Sequence, residues 1–242
     1  MPQGSVKTAI IGSNYPQIKD ALEGIGITPI CIPDNSGIAY PVRAHADMSA
    51  YYCGGGKLIL SRNIADACTA ETFPAGTVII NSAETQREKY PFDIGLNACE
   101  IGDHIFCKRD NIDAEILKHA VDNGKKIISV RQGYSKCSVC ILDEKHIITS
   151  DNSIASAAAD AGIEVLLITP GFFTLPGYDY GFIGGSCFKP DKKTIAFTGT
   201  LSGHPDEVKI LKFIENAGIN VTYLTTERCF DIGSVIPLTE ER

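Results

Sequence analysis

Apolar residues along the chain fall into short clusters separated by turn signals, and the clusters recur at a steady interval. Five β-like segments stand out, at residues 9–13, 58–62, 105–109, 147–151 and 196–200. Their starts lie 42 to 49 residues apart, and 55 residues lead from the last, through the C-terminus, back to the first. Each is followed by a stretch with helical spacing, such as 16–23, 113–120 and 205–214. In the last of these Val208, Leu211 and Ile214 share a face, Asp206 and Glu207 sit where the helix dipole favours acids, and Pro205 suits the first helical position. Gly26, Gly76, Gly124, Gly162 and Gly218 then punctuate the five stretches, as helix-stopping glycines do. Apolar strands follow at 27–32, 77–80, 125–130, 163–168 and 219–224.

Hairpin signals precede the leading segments. Cys53-Gly-Gly-Gly-Lys57 joins 46–52 to 58–60, Leu142-Asp-Glu-Lys145 joins 136–141 to 147–149, and Lys189-Pro-Asp-Lys-Lys193 joins 184–188 to 194–197. The repeating unit is therefore strand–turn–strand–helix–strand, five times over. The hairpin half at 231–238 has no partner after it in sequence, and Val6 to Ile11 has none before it. Pairing these two ends would complete the fifth unit. The expectation is a single α/β domain over 1–242, a five-fold pseudosymmetric ring of ββαβ units closed by its own termini. A doubly wound sheet also alternates strands and helices, but it puts single strands between helices where this chain has hairpins.

Composition narrows the function. Lys plus Arg number 22 against 29 Asp plus Glu, a net charge of −7, so no basic excess exists to neutralise phosphates and no nucleic-acid partner is expected. With 44% hydrophobic residues the chain can fill a core, which excludes disorder. Its apolar runs are too short to cross a bilayer. The N-terminus lacks the apolar core of a signal peptide, so a cytoplasmic location is expected, with the nine cysteines mostly reduced thiols. No GxGxxG follows a strand and no GxxxxGK[ST] occurs, so no nucleotide cofactor is implied. One CxxC, Cys137-Ser-Val-Cys140, stands alone. On a strand its thiols would face opposite sides, so no metal is expected.

Five such units closing into a ring resemble the pentein fold of the guanidine-modifying enzymes, which include arginine deiminase, dimethylarginine dimethylaminohydrolase and the amidinotransferases. That fold also serves non-enzymes, among them a eukaryotic ribosome anti-association factor, so the site has to be argued separately. Val42-Arg-Ala-His45-Ala-Asp47 is similar to the His-x-Asp strand of the deiminases. Two apart on a strand, His45 and Asp47 would point the same way, the imidazole as acid and base and the carboxylate orienting it. The alternative is that they stabilise a loop or a solvated face, and His204-Pro-Asp206 has the same spacing at a helix start. Gly133-Tyr-Ser-Lys-Cys137-Ser-Val-Cys140 is similar to the strand that carries the nucleophilic cysteine, and Cys137 lies two hairpins after His45, as in the dimethylaminohydrolases. For Cys137 the alternative is a small buried packing residue, the reading given to Cys140.

Phe230-Asp231-Ile-Gly-Ser is similar to the strand whose carboxylate grips the guanidinium, so the resemblance implies substrate binding by Asp231. Gly184 and Gly185 stand where the family brings further carboxylates. They imply a larger or less cationic ligand, with the glycines letting it approach the backbone, or a lost activity. Arg43 could bind a substrate carboxylate. The residues 169–180, rich in Gly, Pro and aromatics, could form a lid or a plain connection. Histidine first, cysteine next and acid last is the enzymes' cyclic order with shifted termini. The expectation is a cysteine-dependent hydrolase or amidinotransferase acting on a guanidine or amidine C–N bond of a small molecule, needing no cofactor and compatible with a homodimer. The alternative is a non-catalytic binding module for a small molecule or a protein on the same ring.

Overall fold

The computed structural model describes residues 1–241. Chain order builds five three-stranded sheets. The first unit has β1 (Ser5–Gly12), α1 (Pro16–Gly24) and β2 (Thr28–Ile32). After a short helical turn, α2 (Ala46–Ser49), come β3 (Ala50–Gly54), β4 (Lys57–Leu60) and β5 (Val78–Asn81). The third unit is β6 (Cys99–Ile101), β7 (His104–Cys107), α3 (Ala114–Asp122) and β8 (Lys126–Ser129). The fourth is β9 (Val139–Ile141), β10 (His146–Thr149), α4 (Asn152–Asp160) and β11 (Glu164–Leu167). The fifth is β12 (Cys187–Asp191), β13 (Thr194–Phe197), α5 (Glu207–Asn216) and β14 (Asn220–Tyr223), and β15 (Ile236–Glu241) ends the chain.

Every sheet repeats one pairing rule. A first strand lies antiparallel to the middle strand, and the middle strand lies parallel to the third. In the first unit the antiparallel partner is β15, which pairs Ile236 with Ile10 and Glu241 with Ser5. The termini thus close the ring. The five punctuating glycines all adopt the left-handed backbone conformation that a side chain would oppose, ending the segment that leads into each third strand.

Five hydrophobic clusters lie between units, and a sixth gathers Ile38, Val42, Met48 and Leu175 around Cys137. Ile10 and Ile32 meet Leu58 and Leu60. Tyr51 and Ile59 meet Leu96, Ile105 and Ile116. Phe106 meets Val139, Ile147 and Ile154. Leu142 and Ile148 meet Ile195, Phe197 and Ile210, and Phe188 and Ala196 meet Ile11 and Ile18. Each middle strand is therefore buried on both faces, which explains its unbroken apolar run in sequence. Truncating one such residue, Ile59→Ala for example, would cost about 2–5 kcal/mol. The polar side chains that gather at the ring axis are flanked by that sixth cluster.

The structure corrects four local expectations. The second unit has no long helix; Ala65–Ala67 and Ala70–Thr72 form single 3₁₀ turns. Asp66, Thr69 and Thr72 are weak helix formers and Pro74 cannot continue a helix, so Ile64, Cys68 and Phe73 reach the core from turns instead. Second, α5 begins at Glu207, leaving Pro205 in the preceding turn. Third, residues 46–49 are helical, and fourth, 136–138 and Gly184–Ser186 are turns; none of them is strand. The last two departures fall in the same place, the approach to a hairpin strand, and that is where the candidate site is built. No described helix is long and apolar enough to cross a membrane.

Candidate active site

Four of the turns that precede the hairpin strands meet at the ring axis. Each contributes polar atoms from a different unit. His45 stands at the N-terminal cap of α2 with extended backbone, and Asp47 lies inside that helical turn. The pair share a direction because a turn folds them together, and not through strand alternation. Asn97 comes from the turn before β6, Cys137 from the turn before β9, and Asp231 from the segment before β15. All five residues are buried.

The thiol of Cys137 donates to Asp47 Oδ2 at 3.1 Å. Asn97 Nδ2 donates to the Cys137 sulfur at 3.1 Å and to the Asp47 carbonyl at 3.2 Å. Asn97 Oδ1 accepts from the backbone N–H groups of Lys136 and Cys137. One side chain thus ties the cysteine's turn to the histidine's turn. Asp231 is held from both sides: Oδ1 accepts from Gly233 N at 2.9 Å and Oδ2 from Phe182 N at 2.8 Å. Its Oδ1 lies 3.8 Å from His45 Nδ1, an ion-pair distance when the ring is protonated. His45 Nε2 and Asp47 Oδ1 are buried with no hydrogen-bond partner among the described residues. Such groups are costly unless a ligand or water meets them, so they mark a place where a polar molecule belongs.

Electrostatics set the resting state. Burial pushes the Cys137 thiol well above its ordinary value, and the carboxylates of Asp47 and Asp231 push it further. Burial also raises the Asp47 carboxyl, against the pull of His45 and Lys136. Burial alone would lower the Lys136 ammonium, but Asp47 and the thiols of Cys99, Cys187 and Cys137 hold it above its usual range. A low-pKa cysteine is the common signature of a nucleophile. This one departs from it because the sulfur is buried and faces two acids.

His45, Cys137 and Asp231 open onto a cavity of about 210 Å³, walled by Val42, Met48, Tyr134, Leu175 and Phe182 and bordered by Tyr178, Asp179 and Tyr180. By liquid volume that is room for about seven waters. A second cavity, about 650 Å³, runs between the first strands of the hairpins and reaches Asp47, Lys136 and Ser234. The two share no lining residue; the Asp47–Cys137 hydrogen bond spans between them.

The remaining residues singled out in sequence lie elsewhere. Gly184 and Gly185 are buried and line neither cavity. A Cβ on Gly184 would overlap the carbonyl oxygens of Val139, Lys136 and Cys137, and one on Gly185 would overlap the Asp231 carboxylate. Gly185 N donates to the Cys137 carbonyl at 2.9 Å, and its own carbonyl accepts from Ile232 and Ser234. These glycines let protein approach protein, not ligand approach backbone. Arg43 lies outside the cavity lining, half-buried, with its guanidinium 4.7 Å above the Tyr40 ring.

Asn97 was missed in the sequence reading, although a signal was present. Phe92-Asp93-Ile94-Gly95 repeats Phe230-Asp231-Ile232-Gly233 residue for residue, each just ahead of a first hairpin strand. That duplication marks the approach to β6 as equivalent to the acid-bearing one. Its Asp93 accepts from the Tyr134 hydroxyl at 2.7 Å and so braces a wall of the cavity. His45, Asp47 and Cys137 also form a set of metal-type donors, with ligand atoms all within 4.8 Å of one another.

A family model described as Family of unknown function (DUF6873) matches residues 10–236. No curated protein matches the chain by sequence. Among solved structures, an amidinotransferase of Microseira wollei in the saxitoxin biosynthetic pathway is similar with a TM-score of 0.62 at 10% identity, covering 99% of this chain and 96% of that one. The inosamine-phosphate amidinotransferase of Streptomyces griseus gives 0.59 at 12% identity, with 99% and 96% covered. DDAH from Pseudomonas aeruginosa, a mutant complexed with citrulline, gives 0.58 at 11% identity, with 92% and 93% covered. All three are members of the pentein superfamily, and at these identities they establish the fold.

Proposed function

Because the chain belongs to the Family of unknown function (DUF6873) and carries the pentein fold, we propose that it is a cysteine-dependent enzyme acting on a guanidine or amidine C–N bond of a small molecule. The single observation that carries this reading is the convergence of Cys137, His45, Asp47 and Asp231 from three separate turns onto one cavity and its floor. Names among the structural neighbours support the substrate class, since two are amidinotransferases.

In this reading Asp231 holds the cationic head, which places its central carbon against the sulfur, while Asp47 orients the thiol from the other side. The bound cation offsets the two carboxylates that keep the thiol protonated, so the thiolate forms only with substrate present. The thiol proton passes to His45. Sulfur then adds to the amidine carbon, and the adduct collapses by breaking a C–N bond while His45 returns the proton to the departing amine. An amidino group remains on sulfur. Water or a second amine attacks that carbon, the C–S bond breaks, and the thiol is restored. Water as acceptor makes the enzyme a hydrolase, and an amine makes it a transferase. Asn97 is a positioning residue, clamping sulfur and acid to one another.

A second reading is favoured by one observation: His45, Asp47 and Cys137 are donors of the kind that grip Zn²⁺ and leave a position for water. Zinc bonds of about 2.0–2.3 Å put tetrahedral ligands roughly 3.5 Å apart. One assay separates the two. Amine release from n-butylguanidine and related guanidines is followed with wild type, Cys137→Ser and chelator-treated protein. Thiol chemistry predicts turnover that survives the chelator and is abolished by Cys137→Ser. Loss on chelation with recovery on added Zn²⁺ would transfer the site to the metal. No turnover of any guanidine or amidine by wild type would set the enzyme reading aside in favour of a binding module.

A further inference from the structure

The cavity beside Cys137 is one-sided in charge. Its acidic and basic lining groups are Asp231 and Asp179, with His45 and the thiol, beside the hydroxyls of Tyr134, Tyr178 and Tyr180; among the described residues lining it there is no Lys or Arg. Its wall is aromatic. Tyr134, Phe182 and Tyr180 form a chain of ring contacts, with centroids 6.3 Å apart for Tyr134–Phe182 and 6.1 Å for Tyr180–Phe182. Tyr178 and Tyr180 stand at the mouth, each about half exposed. Leu175, Tyr178, Asp179 and Tyr180 all come from the loop that runs from Thr169 to Phe182. That loop is tied to the Asp231 segment by the bridge from Thr174 to Phe230 and by the bond from Asp231 N to the Thr174 carbonyl at 2.9 Å.

We infer that this cavity selects guanidines or amidines whose tail carries no carboxylate. The inference rests on the reading of the cavity as a guanidine site and adds a substrate class to it. Three physical terms point the same way. A cation is attracted by aromatic faces and by Asp231 within. A tail carboxylate would leave water for a wall that holds no Arg or Lys to receive it, and an anion buried without a partner is strongly disfavoured. At the mouth the same carboxylate would meet Asp179, a like charge. The tyrosine hydroxyls there are neutral donors and do not offset that repulsion. Arg43, the residue best suited by type to a substrate carboxylate, lies over the Tyr40 ring with its Nε buried and unpartnered among the described residues, and it is outside the lining.

The test is a matched pair of probes, n-butylguanidine and 4-guanidinobutanoate, alike in head and tail length and different in the terminal carboxylate. Binding is measured by calorimetry on Cys137→Ser, which has no thiol to react, and turnover on wild type. The expected result is butylguanidine bound at least about tenfold more tightly, with Asp179→Lys bringing guanidinobutanoate at least about fivefold closer. Equal binding, or tighter binding of guanidinobutanoate, overturns the selectivity while leaving the guanidine site intact. If neither probe binds Cys137→Ser nor is turned over by wild type, the guanidine site itself is wrong and the selectivity falls with it.

Discussion

Cys137 and Asp47, 90 residues apart in sequence, are joined by a thiol–carboxylate hydrogen bond of 3.1 Å at the ring axis. The bond couples the candidate nucleophile to a buried acid and keeps the sulfur protonated. Neither residue's chemistry is intelligible alone. The acid needs the donor because its other oxygen is unpartnered, and the thiol is held neutral by the acid and by Asp231.

The first prediction concerns ionisation. In the free protein Cys137 should not ionise below its ordinary range, because burial and two carboxylates raise it. A bound guanidinium should lower it, because an opposite charge nearby favours the thiolate. The difference in thiolate absorbance between wild type and Cys137→Ser, titrated with and without n-butylguanidine, reads this directly. A thiol already ionised at neutral pH without ligand would contradict it.

Gly185→Ala should disable the site although Gly185 itself lines neither cavity. The added methyl overlaps the Asp231 carboxylate, so the acid must move away from Phe182 N, Gly233 N and His45. Overpacking of this kind costs about 1–3 kcal/mol. Urea denaturation should show that loss, and calorimetry should show weakened guanidine binding. Full affinity in the variant would mean that Asp231 does not hold the substrate.

Asn97→Ala should cost turnover more than affinity, since Asn97 touches sulfur and backbone and lines no cavity. It leaves the N–H groups of Lys136 and Cys137 short of an acceptor, a stability loss of about 1–3 kcal/mol. A purely structural residue would lower stability but leave kcat of the folded fraction unchanged; a fall in kcat at constant KM identifies the positioning role. Asn97→Asp keeps an acceptor but adds a third acid beside the sulfur, and should raise the pH at which activity appears.

Thiols elsewhere set the alkaline limit of stability. Burial raises Cys99 and Cys229 to about 12 and Cys107 to about 11, from an ordinary value of 9.0. Below pH 9 folded and unfolded chains hold these protons alike, and the stabilisation is complete. Between pH 9 and about 12 the unfolded chain releases protons that the folded chain keeps, so stability falls as pH rises. A fully buried thiol such as Cys99 contributes a slope of up to about 1.4 kcal/mol per pH unit. Urea midpoints that stay flat from pH 8.5 to 10.5 would contradict it.

Much of the ring was legible in the sequence because its signals are local. The turn Cys53-Gly-Gly-Gly-Lys57 announces its hairpin, and a glycine at positive φ marks the end of each segment that leads into a third strand. Pairing the two ends was deducible once one hairpin half lacked a mate. The candidate site is a different case. His45, Asp47, Cys137 and Asp231 could be named from motif resemblance, but their geometry could not. They sit in turns whose shape is decided by other units: Asn97 clamps the Cys137 turn, and the Asp47 N–H donates to the Gly233 carbonyl at 3.0 Å. Gly184 and Gly185 were misread because a missing side chain in sequence looks the same whether ligand or protein takes its place. Only the close approach of Asp231 and three carbonyls decides between them.

The central claim is that the Cys137 sulfur becomes covalently bonded to the amidine carbon of a substrate. Acid quenching during turnover of a guanidine, followed by intact mass and peptide mapping, tests it most directly. The account predicts an amidino group on Cys137, absent in Cys137→Ser and lost when substrate is exhausted. An unmodified Cys137 throughout turnover that Cys137→Ser also sustains would contradict it.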